Sequence, residues 1–440
     1  MTRFSIRATA ERLGWGHRGF RVAQASRARL GLALLLLGPF VVDQIRFQVL
    51  LERQGLDLHF WCRLSEQFTA DPAMPLYQAH PRFLYPPFYL LVIRPLATLP
   101  LPWAAFVFET LKWAALFVAL RGAWRMASPP DEDAPPIVAL GSLLLSWRFF
   151  WNDFAQGNIN LFLLCGLVAA CRLFICGREL SAGALLGAVA CVKVTPALMV
   201  VWFAYKRRWR VAAGSVAGAA VMLLLLPALW VGWTDATRSL SEWYHHVIKG
   251  FVREGAVYSL HINQSLTAIF NRLFADHVAL EPDVRVTLVS LPPAVLNALR
   301  AALSGLILAA LAWSCRGRMK PGDPPLAFAS ELGLVLIAML FLSGYSWKAH
   351  FVVMLIPYAV LLSHLSDARH AGRKRAVLGC LAVSFALATG TEFLGHDGAN
   401  QAEAYGLIAG GALAAGLGLL IVRSDLRRVQ PPSWPAGPGP

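Results

Sequence analysis

ALLGAVACVKVTPALMVVWF, residues 184–203, decides the fold. It runs for twenty residues with a single charge, Lys193. About twenty consecutive apolar residues are what a helix needs to cross the hydrocarbon core of a bilayer. Blocks of this kind recur along the chain, at 29–49, 84–99, 102–121, 136–151, 158–176, 181–204, 210–231, 292–314, 326–344, 350–366, 376–393 and 404–422. The blocks at 84–99, with Pro86, Pro87 and Pro95, and at 136–151, with Arg148, are the weakest. In lipid a backbone must satisfy its own hydrogen bonds, so each block is expected to be helical. The sequence therefore predicts an all-α integral membrane protein, a polytopic bundle of ten to twelve transmembrane helices.

Composition agrees. Of 440 residues, 57% are hydrophobic and 15% charged, against about 25% charged in a soluble domain. Many of the 15 Trp sit at block ends, as Trp103, Trp124, Trp151, Trp230, Trp233 and Trp347 do, where interfacial rings are favoured. A net charge of +15 raises the question of nucleic acid, but the basic residues cluster in short loops between apolar blocks. Retention of positive charge on the cytoplasmic side explains them, and no nucleic-acid partner is expected. Seven Cys fall mostly inside apolar blocks without a CxxC pair, and read as small core residues.

Residues 1–28 form a basic segment expected to be cytoplasmic, residues 29–422 the transmembrane domain, and 423–440 a Pro/Gly-rich cytoplasmic tail. With the amino terminus inside, the basic segments 205–210, 315–320 and 364–375 also fall inside. The longest connections, near 50–83 and 232–291, then fall outside. The same assignment puts 122–135 outside and the QGN stretch at 156–158 inside. Residues 56–70 have the pattern of a short amphipathic helix on the outer interface.

Charged and polar groups at membrane depth mark candidates for function. Asp57 follows the first span, where a carboxylate can act as a general base or merely cap a helix. Tyr85-Pro86-Pro87 should form the mouth of a span, with Arg82 just before it. Gln156, Asn158 and Asn160 open an apolar block and suit either sugar hydroxyls or helix–helix contacts. Lys193 needs a partner or an anion such as phosphate, with Glu109 and Glu331 the nearest acidic partners by span. Asn263, Gln264 and Ser265 lead into an amphipathic stretch in the long outer loop, where Asn263 or Ser265 also fits a helix cap. Trp347, Lys348 and His350 lie at the outer end of another span, able to meet a lipid phosphate or to snorkel. Asp131-Glu132-Asp133 is a Pro-flanked charge run without a soluble domain to hold a nucleotide. There is no Walker A loop, GxSxG elbow or HExxH, and no metal or cofactor is expected.

In order, DLHFWCRLSEQF, PLYQ, RFLYPPFYLL, RPLATLP, QGNINLFLL, GALLGAVACVKVTPAL, NQSLTAIFNRL and YSWKAHFVVMLIP resemble glycosyltransferase family 87, with its C-type architecture, from about residue 56 to 360. The resemblance implies a membrane glycosyltransferase with a polyprenyl-phosphate sugar donor, usually mannose. It also implies a lipid- or glycan-linked acceptor, inversion at the anomeric carbon, and chemistry on the extracytoplasmic face. Asp57 matches the family's base, and Ala349-His350 matches a stretch that often carries paired His. Lys193, Arg82, Lys348 and His350 become candidates for holding the lipid phosphate, in contact also with membrane lipids. A transporter or lipid-linked sugar flippase, and a polymerase or ligase with a diphosphate donor, are the rival readings.

Overall fold

A computed structural model describes residues 36–49, 57–129, 134–250, 257–275, 284–367 and 373–429. The basic amino-terminal segment, the Asp131-Glu132-Asp133 run and the tail beyond 429 lie outside the described residues. The chain divides into two units at Gly55/Leu56. Of the first, residues 36–49 are described and form one helix, α1, inside the expected first span.

The second unit is helical, with no strand among the described residues. Its helices are α2 (Asp57–Ala70), α3 (Phe88–Ala97), α4 (Leu101–Ala127), α5 (Pro136–Ala155), α6 (Asn160–Ile175) and α7 (Glu179–Val192). They continue as α8 (Ala197–Tyr205), α9 (Trp209–Val231), α10 (Trp233–Trp243), α11 (Leu266–Phe274), α12 (Pro293–Ser314) and α13 (Pro325–Leu342). The last are α14 (Lys348–Ser366), α15 (Lys374–Ala388), α16 (Gly395–Ala404) and α17 (Leu407–Val429). Among the described residues six are long and apolar enough to cross a membrane, α4, α9, α12, α13, α14 and α17, or seven if the bent run from α15 through α16 is one span. The other blocks of this unit read as spans are shorter or more polar helices packed among these. Proline starts several helices. Pro102, Pro136, Pro293 and Pro325 sit in the first turn, where the missing donor costs nothing and the fixed φ suits a helix.

Three local features set the site. First, the expected span at 84–99 is only the ten-residue α3, about 15 Å long and half a bilayer. It lies against α2, tied by Ser65 Oγ donating to Leu90 O at 2.8 Å. Second, α5 ends in a Schellman turn. Gly157, at φ +62°, and Asn158 donate to Phe154 O and Asp153 O, reversing the chain into α6. Third, the 184–203 block is broken. Its helix stops at Lys193, whose backbone is extended, and restarts after Pro196, which has no donor to continue α7.

The α7–α9 contact is a glycine seam. A Cβ on Gly183 or Gly187 would lie 2.1 Å from Val211 O or Ser215 O. One on Gly214 or Gly218 would lie 2.3 Å from Leu180 O or 2.2 Å from Ala184 O. Both pairs have the small-xxx-small spacing that lets membrane helices meet backbone to backbone.

The bundle's two ends differ. At one end Ser363 Oγ donates to Ala127 O at 2.5 Å, Lys206 and Arg423 pair with Glu331 at 2.6 and 2.7 Å, and Arg208 pairs with Glu179 at 3.3 Å. At the other, the carboxyl end of α5 meets Asp57 and Lys193. Residues 122–127 thus share an end with the basic segments 205–210 and 315–320, and 156–158 share an end with Asp57. The expectation that separated them in the opposite sense is corrected. It had counted α3 as a crossing, which inverts the placement of every connection until the break at Lys193 restores it.

Candidate active site

Asp57 is the first residue of α2, half-buried. Three charged groups face it, Lys193, Lys112 and Asp153. Burial pushes its carboxyl up to about 6 from 3.8, with Asp153 adding to the rise and the two lysines opposing it. Around it the rings of Trp61, Tyr85 and Tyr89 pack edge to face and stacked, with centroids 5.5, 5.1 and 4.4 Å apart. Tyr77 Oη donates to Tyr85 O at 2.7 Å and fixes the Tyr-Pro-Pro turn. Burial and the charges of Asp57 and Asp153 hold the Tyr85 phenol far above its ordinary range, so it stays protonated beside the carboxylate.

A polar chain runs from this point through four successive helical segments. Lys112 on α4 is fully buried, 3.4 Å from Glu109 and 3.5 Å from Asp153, with its ammonium donating to Asp153 O at 2.9 Å. The ring of Phe154 lies 4.8 Å from it. Asp153 Oδ1 accepts from the backbone N and the Nδ2 of Asn160, at 3.0 and 2.9 Å, and so also caps the amino end of α6. Asn160 Oδ1 in turn accepts from Lys193 Nζ at 2.7 Å. A lysine in an extended residue between two helix ends is thereby held by a buried amide.

Lys193 and Asn160 line a cavity together with Thr195, Tyr345, Ser346 and His350. His350 Nδ1 accepts from Trp347 N at 3.2 Å, which leaves the ring proton on Nε2. The free interior is about 20 Å³, room for a water or two. The Lys193 ammonium and the His350 imidazole thus line one apolar-walled pocket, and the Asp57 carboxylate faces that ammonium from outside the pocket's lining. Among the described residues no group of three or more His, Cys, Asp or Glu is arranged to hold a metal.

Of the residues singled out in the sequence, Asp57, Tyr85, Asn160, Lys193 and His350 come together, with Asn158 supporting Asn160 through a 3.0 Å bond. Others do not join them. Arg82 and Gln156 are exposed. Asn263, Gln264 and Ser265 are fully buried in a loop scaffold. Asn263 Nδ2 donates to Tyr258 O and Gly344 O, Gln264 Nε2 donates to His261 O and Glu403 O, and Ser265 Oγ caps α11 by accepting from Ala268 N. Lys348 is paired with the buried Glu403 at 2.6 Å, alongside Arg148 at 3.0 Å. Trp347 packs on Tyr345 with centroids 5.6 Å apart. Neither acidic residue expected near Lys193 is its partner, since Glu331 pairs with Lys206 and Arg423, and Glu109 with Lys112.

Sequence reasoning passed over Lys112, Asp153, Arg148 and Glu403 as site-end charges. Lys112 and Asp153 carried a signal, as charges inside or at the rim of apolar blocks, but the misplaced crossing had put Asp153 on the wrong end.

Comparison with known proteins places the chain in a family. Three relatives are mycobacterial. A polyprenol-phosphate-mannose-dependent alpha-(1-2)-phosphatidylinositol pentamannoside mannosyltransferase of Mycobacterium tuberculosis is 26% identical over 284 residues, 64% of this chain and 58% of the relative. An alpha-(1-2)-phosphatidylinositol mannoside mannosyltransferase of the same species and dependence is 27% identical, over 62% of this chain and 60% of the relative. The pentamannoside enzyme of Mycolicibacterium smegmatis is 26% identical, over 64% and 61%. The chain thus aligns with about three-fifths of the length of these relatives. No solved structure matches it. The profile of glycosyltransferase family 87 matches residues 83–344, more than half of the chain, from the Tyr-Pro-Pro turn through both lysines to the cavity wall. The chain belongs to glycosyltransferase family 87.

Proposed function

We propose that this protein transfers a hexosyl group, mannose in the first instance, from a polyprenyl-phosphate donor to a hydroxyl of a lipid- or glycan-linked acceptor. The acceptor oxygen attacks the anomeric carbon while its proton passes to Asp57. The bond from that carbon to the phosphate oxygen breaks, and polyprenyl phosphate departs against the Lys193 ammonium. A single displacement of this kind inverts the anomeric centre. A monophosphate leaving group asks for one well-placed cation, which Lys193 supplies, and His350 offers a neutral donor beside it.

The observation that carries the reading is the meeting of Asp57 and Lys193 in one buried cluster beside a cavity. The relatives' names, each polyprenol-phosphate-mannose-dependent, support the choice of donor. The cavity, about 20 Å³ for water-sized occupants, is smaller than the hexose the reaction has to seat. We place the reaction on the extracytoplasmic face, because the opposite end gathers Lys206, Arg207, Arg208, Arg316 and Arg318, and positive charge is retained on the cytoplasmic side.

The test is transfer by purified, reconstituted protein from polyprenyl-phosphate-mannose to extracted membrane glycolipids. The product is read by mass spectrometry and its anomeric configuration by NMR. A hexose-extended glycolipid that disappears in Asp57→Asn is expected. Movement of the lipid-linked sugar across the bilayer without covalent product would favour the flippase reading instead.

A further inference from the structure

Lys193 lies in an extended residue between two helices, so no helix of its own directs its side chain. Its ammonium donates to Asn160 Oδ1 at 2.7 Å. An amide can be turned either way, and which way it faces decides whether Lys193 meets an oxygen or an NH2 group. Asp153, an acceptor only, takes both the backbone N and the Nδ2 of Asn160 on one oxygen. The second Nδ2 hydrogen goes to Asn158 Oδ1 at 3.0 Å, an oxygen also held by Ile159 N at 2.8 Å. With both amide hydrogens engaged on acceptors, Asn160 Oδ1 is left facing the ammonium. The turned amide would set NH2 against NH3⁺ and a carbonyl against a carboxylate, two repulsions in a buried site. Asp153 pairs at 3.5 Å with Lys112, itself fully buried and shared with Glu109.

Resting on the donor reading above, we propose that Asp153 and Asn160 are positioning residues, the carboxylate fixing the polarity of the amide and the amide aiming Lys193 at the donor phosphate. Neither touches the reacting atoms. The polarity originates on α4, passes through α5 and α6, and emerges at the break after α7, so an electrostatic order set by four segments is delivered to one ammonium. The same geometry gives Asp153 a second effect. The groups facing Asp57 are Lys193 and Lys112, which favour its ionised form, and Asp153, which disfavours it, with the neutral phenols of Tyr85 and Tyr89 alongside. Asp153 thus steadies the cation and keeps the base from becoming too weak.

The experiment measures binding of a short-chain polyprenyl phosphate to purified full-length protein by intrinsic tryptophan fluorescence. Lys193→Met, Asn160→Ala and Asp153→Asn should each weaken it about ten- to a hundredfold, the scale of one hydrogen bond to a charged group. Adding Asn160→Ala or Asp153→Asn to Lys193→Met should cost nothing more, since both act through that ammonium. Asn160→Ala leaves every charge in place and serves where Asp153→Asn does not fold. Losses that add in the double variants, or undiminished binding in Asn160→Ala while Lys193→Met is defective, overturn the proposal and leave the donor reading standing. A wild-type protein that does not bind polyprenyl phosphate overturns both. In the transfer assay, Asp153→Asn should move the acid limb of kcat/KM to lower pH, and Asn160→Ala should leave it in place, a difference that loss of packing alone does not produce.

Discussion

Replacing Asp57 with Asn should abolish transfer and at the same time make the protein more stable at neutral pH. Burial lifts this carboxyl from 3.8 to about 6, so the folded protein binds the proton more tightly than the unfolded chain does. For an acid shifted in this direction, the protonated form's contribution is complete below about 4 and is lost as pH rises through about 6. Roughly two pH units at 1.36 kcal/mol each gives a loss of about 3 kcal/mol, to order of magnitude, in the wild type between pH 4 and pH 7. Asn carries no charge and escapes it. Thermal unfolding of detergent-solubilised protein, followed by fluorescence across this range, should show curves that coincide near pH 4. Above pH 6 they should separate, with Asp57→Asn the more stable. Independently, kcat/KM of the wild type should rise with pH along a limb centred near 6, because the base must be ionised to accept the acceptor's proton. The reasoning fails if Asp57→Asn keeps its activity, or if the two stability curves run parallel.

Gly187→Leu should separate α7 from α9, because its Cβ would meet the backbone of Ser215, and should destabilise the protein by about 1–3 kcal/mol or more, read by the same unfolding assay. Glu403→Ala leaves Arg148 and Lys348 without their shared buried carboxylate. With Glu392 still pairing with both cations, it should cost about 1–3 kcal/mol of stability, while Lys348→Met should leave the KM for the donor nearly unchanged, both checked on purified variants. A protease site inserted between α4 and α5, near residue 130, should be cut in inside-out vesicles and protected in right-side-out ones, whereas a site near residue 398 should show the reverse.

The broad architecture was legible because lipid leaves few options, so twenty-residue apolar blocks become helices. Where the reading slipped, the cause was depth rather than type. The block at 84–99 has the composition of a span, but Pro86 and Pro87 delay its helix until Phe88, and ten residues do not cross. The block at 181–204 was read as one span although Pro196 divides it. Within the candidate site, Asp57 and Lys193 stood out because isolated charges beside apolar runs are expensive. Asp153 and Lys112 did not, because their meaning depends on which helices are neighbours, and that information lies in contacts such as the Schellman turn at Gly157. The polar cluster at Asn263, Gln264 and Ser265 looked like a binding surface for a related reason. Sequence shows hydrogen-bonding capacity but not whether backbone groups such as Gly344 O have already claimed it.

The glycine seam has a mechanical corollary. With backbone set against backbone, α7 and α9 have no intervening side chains to slide or repack, so they behave as one stiff panel, and Lys193 hangs at its edge. A hexose needs several times the present cavity, so the extra room has to open on the facing leaf, formed by Met339, Leu340, Tyr345 and the turn before His350. A widened cavity is then expected to keep its ammonium on the stiff side and to gain its room on the apolar side.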